Sequence, residues 1–149
     1  MILCFVGPVS SPLARMDLAE LDARWGDLDR AGLRIYAVSP SAAAEARDLV
    51  PRLRLRVPLV LDPEGVVAGA WGVERGAFAA FVEDLSAPTL RRSLRALRLG
   101  MPRLAGPHGL TPVAFLLGTD GRIEGRQRAR GPLGGLDLDA LVVAAGLAV

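Results

Sequence analysis
Apolar and polar positions along this chain fall into blocks whose period changes, and each change marks an element. Ile2 to Val6 is an unbroken apolar run, too short for a buried helix and bulky enough for a core strand. From Pro12 to Arg30, Leu18, Leu21, Trp25 and Leu28 recur at helical spacing, with Asp17, Glu20, Asp22 and Arg24 on the polar side. Ala31-Gly32 stops that helix, and Leu33 to Val38 reads as a second strand with one charge, Arg34. Ser39-Pro40-Ser41 opens a second helix reaching about Leu53, with Ser41 placed to cap it. Pro58 to Leu61 is a third short strand. Asp62-Pro63-Glu64-Gly65 is turn chemistry in which Asp62 bonds nearby backbone, and Val66 to Val73, carrying Trp71, is a short helix. The βαβαβα order predicts a mostly parallel sheet covered on both faces.

The alternation is then interrupted. Between residues 75 and 107, Phe78, Phe81, Val82 and Leu85 make one helical face, and Leu90, Leu94 and Leu97 make another, a helical excursion that could be a lid, a partner surface or packing, with packing the favoured reading. A Pro/Gly-rich connection from Gly100 to Gly109 leads to a fourth strand, Pro112 to Leu117. Thr119-Asp120-Gly121 turns it into an exposed edge strand, Arg122 to Arg130. Leu136 to Val149 closes as a helix, with Asp137 or Asp139 near its start. No repeat or second domain is visible, so residues 1–149 read as one domain.

The junction after the first strand, Gly7-Pro8-Val9-Ser10-Ser11-Pro12, organises the rest. Ser11 is placed to cap the following helix with its hydroxyl, and Pro12 suits the first helical turn, where its missing N–H costs nothing. Such a junction aims backbone N–H groups at whatever sits at the helix start, which in a redox enzyme is where a cysteine is held as thiolate. Here the positions that could carry it are Ser11 and Ala14, and neither has a sulfur.

Composition narrows the chemistry. No apolar run approaches the roughly 20 residues of a membrane span. The N-terminus Met1-Ile2-Leu3-Cys4 lacks the basic region of a signal peptide, so a cytoplasmic protein is expected. The single cysteine, Cys4, excludes an internal disulfide, and with one histidine there are too few ligands for a His/Cys zinc centre. No cofactor is implied. All 18 basic residues are Arg, yet the net charge is only +2, so the arginine clusters read as solvated faces and no nucleic-acid partner is expected. Cys4 sits mid-strand and reads as a small core residue. His108 could approach Ser11, but nothing supplies a third member for acyl transfer, so it reads as a loop histidine. Arg15 stands in the first helical turn, an unfavourable place for a cation.

In order and spacing, these segments resemble the thioredoxin fold and, within it, the peroxiredoxin-like AhpC/TSA family, closest to its branch with a Cys-Pro-x-Cys-Arg motif. The resemblance runs through Phe5 to Leu21, Ala31 to Ser39, Pro58 to Gly65, Ala70 to Val73 and Pro112 to Ile123. It implies an α/β thioredoxin-like fold with a C-terminal antiparallel hairpin. Laid on that motif the chain reads Ser11-Pro12-Leu13-Ala14-Arg15; laid on the Thr-x-x-Cys pattern of typical peroxiredoxins, Ser11 takes the Thr place and Ala14 the peroxidatic cysteine. Alanine cannot attack a peroxide, and a serine hydroxyl without a strong base is too weakly acidic to replace a thiolate.

Thr111-Pro112 occupies the place where the fold keeps a proline facing that motif. A groove lined by Ser11, Pro12, Arg15, His108, Thr111 and Pro112 is therefore the expected site for a substrate or partner. The expected function is a binding, regulatory or structural module without catalytic residues, with a protein partner or a second copy as the candidate ligand. The competing expectation is an antioxidant thiol oxidoreductase that uses Cys4 or a partner's thiol.

Overall fold
The computed structural model describes residues 1–73, 112–129 and 135–146. Within them β1 is Ile2–Phe5, α1 Pro12–Arg30, β2 Ile35–Ser39, α2 Ala43–Leu53, β3 Leu59–Leu61 and α3 Val66–Ala70. They are followed by β4 Val113–Leu117, β5 Ile123–Arg128 and α4 Leu138–Ala144. The helical faces expected between 75 and 107, together with His108 and Thr111, lie outside the described residues.

The five strands form one sheet in the order β3-β2-β1-β4-β5. Strands β1, β2 and β3 pair in parallel, as short strands separated by crossover helices must. β4 runs antiparallel to β1, and β5 antiparallel to β4, so four of the five strands point the same way. The result is the mostly parallel α/β sheet with a C-terminal hairpin that the sequence predicts. Thr119-Asp120 makes the hairpin turn, and Gly121 takes φ 80°, a left-handed conformation that costs glycine little.

Successive residues of a strand face opposite sides of the sheet, and β1 and β4 are apolar on both. Ile2, Cys4, Ala114 and Leu116 face one side, where Leu18, Leu21 and Leu28 of α1 meet Leu138, Leu141 and Val142 of α4, and where α2 adds Leu49, Val50 and Leu53. Phe5, Val38, Val113, Phe115 and Leu117 face the other side with Ala68 and Val67 of α3. There Phe5, Trp71 and Phe115 form an aromatic cluster with ring centroids 5.1–6.2 Å apart. The Arg126 guanidinium lies 5.4 Å from the Phe115 ring centre. Both tryptophans sit half-buried at the margins of the core, Trp25 against the α1 side and Trp71 against the α3 side.

Local capping departs from the sequence expectation at two helices. Ser11 is the N-cap of α1 by backbone conformation, φ −73° and ψ 129°, but its side chain makes no capping hydrogen bond. α2 starts after Ala42 rather than on Ser41, whose hydroxyl is bonded elsewhere. Asp62 and Asp137 do cap. The Asp62 carboxylate accepts from the Val67 and Ala68 N–H groups at 3.2 and 2.9 Å, and Asp137 accepts from Ala140 N–H at 3.1 Å. Asp17 is a further correction: placed on the polar face by periodicity, it is only 5% exposed and engaged within the fold.

Asp22 does more than solvate α1. One carboxylate oxygen accepts from the backbone N–H groups of Arg56 and Val57 at 2.6 and 3.3 Å, and the other from the Arg56 guanidinium at 3.2 Å. The Asp22 carbonyl takes a further guanidinium bond at 2.7 Å, and Arg56 also lies over the Trp25 ring at 5.6 Å. This clamp ties the middle of α1 to the segment that enters β3. Partial burial pushes the Asp22 carboxyl up, but the Arg56 and Val57 hydrogen bonds and the Arg56 charge outweigh it and hold the group below its usual range.

Two outcomes are expected. Asp22→Asn leaves the backbone donors with a weaker, neutral acceptor and costs about 1–2 kcal/mol at pH 7, read by urea unfolding. Because the folded carboxyl is depressed, its contribution is full above the unfolded value of about 3.9 and fades as pH falls through the lower folded value. The gap between the two proteins therefore narrows on acidification below about pH 4, and a pH-independent gap contradicts the clamp. At Cys4, Ala is expected to be milder than Ser. Alanine loses only packing, about 1 kcal/mol, whereas a hydroxyl in the middle of a sheet lacks a free partner and costs about 1–3 kcal/mol more.

Candidate functional site
The carboxyl ends of β1, β2 and β3 lie at one end of the sheet, the place where open α/β sheets present their loops. Phe5 pairs with Val113, so Pro112, just before β4, comes alongside Val6 and the turn that follows it. Pro112 is buried, and its carbonyl accepts from Ala129 N–H at 2.8 Å. The topology therefore brings Pro112 to the same end of the sheet as the Gly7–Ser11 turn and the start of α1. Of the residues expected to line the groove, Ser11, Pro12, Arg15 and Pro112 are described, whereas His108 and Thr111 are not.

The turn itself is compact. Ser11 N–H donates to Pro8 C=O at 2.8 Å, and Arg15 N–H donates to Ser11 C=O at 3.1 Å as the first helical bond. Pro12 occupies the first helical position and is buried. Ala14 is 2% exposed. A Cβ added to Gly7 would stand 3.4 Å from the Ala14 Cβ, so the turn and the first helical turn are in contact at that point.

Arg15 carries the charge of the site. Its guanidinium NH2 group donates to Ser10 C=O at 3.0 Å, so the cation turns back to a backbone acceptor upstream of the helix. Its Nε is buried without a hydrogen-bond partner. Ser11 is half-buried, and its hydroxyl is not used as a cap.

The only sulfur that could serve as a thiolate lies elsewhere. Cys4 is 0% exposed, in the strand that pairs on both sides, with Ala37 and Ala114 as its register neighbours. Burial pushes the thiol pKa strongly up, and the carboxylate of Asp17 raises it further, because each disfavours a thiolate in the core. The thiolate, which is the nucleophilic and metal-ligating form, is thus disfavoured at this position. Among the described residues no group of three or more His, Cys, Asp or Glu is placed to hold a metal ion. No helix there is long and apolar enough to cross a membrane.

What the sequence did not signal is the pair Ser39 and Ser41. Their hydroxyls reach the β1–α1 turn from the last residue of β2 and from two residues beyond it, through bonds to Gly7 and Val9. The only trace in the sequence is two serines in an otherwise apolar setting, which reads equally well as turn chemistry.

Solved structures of similar architecture include proteins named peroxidoxin, peroxiredoxin and bacterioferritin comigratory protein. Peroxidoxin BcpB from Mycobacterium tuberculosis superposes with a TM-score of 0.66 at 16% identity, over 99% of this chain and 79% of that one. The Xanthomonas campestris bacterioferritin comigratory protein, described for its alkyl peroxide reduction activity, gives 0.62 at 17% identity over 97% and 75%. A cysteine-to-serine mutant of peroxiredoxin 6 of Arenicola marina gives 0.65 at 14% identity over 97% of this chain and 59% of its own. At such identities the likeness speaks for the fold. No curated protein matches the chain. The AhpC/TSA family matches residues 1–125, which is most of the sequence and includes the whole site, and the chain belongs to that family.

Proposed function
We propose that this chain is a peroxiredoxin-like protein without thiol chemistry of its own, acting as a binding, regulatory or structural module. Its working surface is the Ser10–Arg15 segment beside Pro112, its partner a protein or a second copy of the chain, and its compartment the cytoplasm. The observation that carries this reading is the location of the thiol. The helix-start position is Ala14, packed against Gly7, and the one thiol lies at 0% exposure inside the central strand.

Peroxide reduction needs a thiolate oxygen acceptor that becomes a sulfenic acid while the peroxide O–O bond breaks. Cys4 faces the side of the sheet covered by α1 and α4, so peroxide could reach it only if that helical layer lifted from the sheet. The competing reading, an antioxidant enzyme working through Cys4, therefore asks a fully buried core position to open in each turnover.

The test is intact-mass detection of Cys4 oxidation after brief exposure to near-stoichiometric hydrogen peroxide with a dimedone-type sulfenic-acid trap. The native protein is expected to gain no adduct, and the urea-unfolded chain to react readily. The native rate should be slower by at least about a thousandfold, as exchange through global opening of a stable core implies. Rapid stoichiometric trapping in the native state would overturn the proposal and make Cys4 an active thiol.

A further inference from the structure
Val6 N–H still donates to Val38 C=O at 2.9 Å, and beyond it the chain turns away from the sheet. Two backbone groups of that turn are served by side chains. Ser39 Oγ donates to Gly7 C=O at 2.9 Å, and Val9 N–H donates to Ser41 Oγ at 2.7 Å. The two hydroxyl oxygens are 3.0 Å apart. A serine hydroxyl has one proton to give. That of Ser39 is committed to Gly7, so the proton between the two oxygens belongs to Ser41.

The direction of the whole chain of bonds follows from this. It runs from Val9 N–H to the Ser41 hydroxyl, then to the Ser39 hydroxyl, then to Gly7 C=O, and the backbone from Gly7 to Val9 closes the ring. Both serines are buried, Ser39 at 0% and Ser41 at 1% exposure. Removing either oxygen leaves one backbone group of the turn without its partner and also breaks the bond between the two hydroxyls, so the remaining hydroxyl holds its backbone group with one bond fewer to orient it. Ser39 C=O also accepts from Asp62 N–H at 2.7 Å, so the same residue braces the turn that caps α3.

We infer that Ser39 and Ser41 form a latch. They are positioning residues that seat the Gly7–Ser10 turn on the end of β2 and so hold the Ser10–Arg15 surface in one shape. A partner meets a preformed site while these bonds hold. The role assigned to that surface rests on the function proposed above; the latch is measurable without it.

The experiment is amide hydrogen exchange of the full chain, residue by residue, for the wild type, Ser39→Ala, Ser41→Ala and the double variant. Each single variant is expected to speed exchange across residues 7–15 by about tenfold or more, with a smaller change in β4. The double variant should fall short of the sum of the singles, because the bond between the hydroxyls is lost in each single and can be lost only once. Equal acceleration over β1, β2 and β4, strictly additive single effects, or unchanged exchange at 7–15 would each overturn the latch.

If the variants do not fold, the wild type alone decides. Slow exchange of the Val9 amide supports the latch, and exchange at the rate of an exposed turn overturns it. Failure here is distinct from failure of the function proposed above. A trapped Cys4 sulfenic acid removes that reading and leaves the exchange pattern standing, whereas a uniform exchange pattern removes the latch and leaves the thiol result standing.

Discussion
The constraint on which the structure depends is that β1 is buried on both faces and paired along both edges. A strand in that position has no solvent-facing side, so it must be apolar throughout, and Ile2-Leu3-Cys4-Phe5 is. Its neighbours at Cys4 are alanines, Ala37 on one edge and Ala114 on the other. Small residues at that level leave room for the side chains of α1 to come down on the sheet. Among the described residues, the candidate site is then attached to the end of this strand. The turn after Phe5, the start of α1 and Pro112 all take their places from the register of β1 with β2 and β4.

That constraint also explains why the thiol of this chain is buried where a thiolate is disfavoured. Reactivity in a cysteine comes from stabilised negative charge: backbone N–H groups at a helix start, a nearby cation, access to water. Cys4 has the reverse, an apolar setting and a carboxylate, Asp17, as the charge that acts on it. The helix start that could supply the stabilising environment presents Ala14 instead, and the adjacent cation, Arg15, turns one guanidinium nitrogen back to the Ser10 carbonyl. Thiol and activating environment are both present in the molecule, but they are separated.

Polar groups inside this fold follow one pattern: they secure the backbone where regular pairing stops. Asp62 does so for α3, Asp22 for the approach to β3, and Ser39 with Ser41 for the turn after β1. Each supplies acceptors or donors to backbone groups that no ladder serves, which is what a buried polar side chain must do to be tolerated. These strand and helix ends are thus held by side chains where the backbone ladder stops.

The sequence by itself determined the kinds and order of the described elements, because apolar period and turn residues are local properties. Pro12 at the helix start, the Asp62 turn, the core placement of Cys4 and the edge character of Ile123–Arg128 were all readable from neighbours within a few positions. So was the departure at Ser11 and Ala14, since the absence of a thiol is a matter of composition. Only the tertiary structure decided which serine does what. Ser11 and Ser41 both look like helix caps locally, yet Ser11's hydroxyl is unused as a cap and Ser41 reaches back 32 residues to Val9. It decided likewise that Asp17 faces inward and that Asp22 clamps Arg56. The physical reason is the same in each case: a polar side chain bonds to whatever unsatisfied group the fold brings near it, and that group is set by strand register and helix docking rather than by its neighbours in the chain.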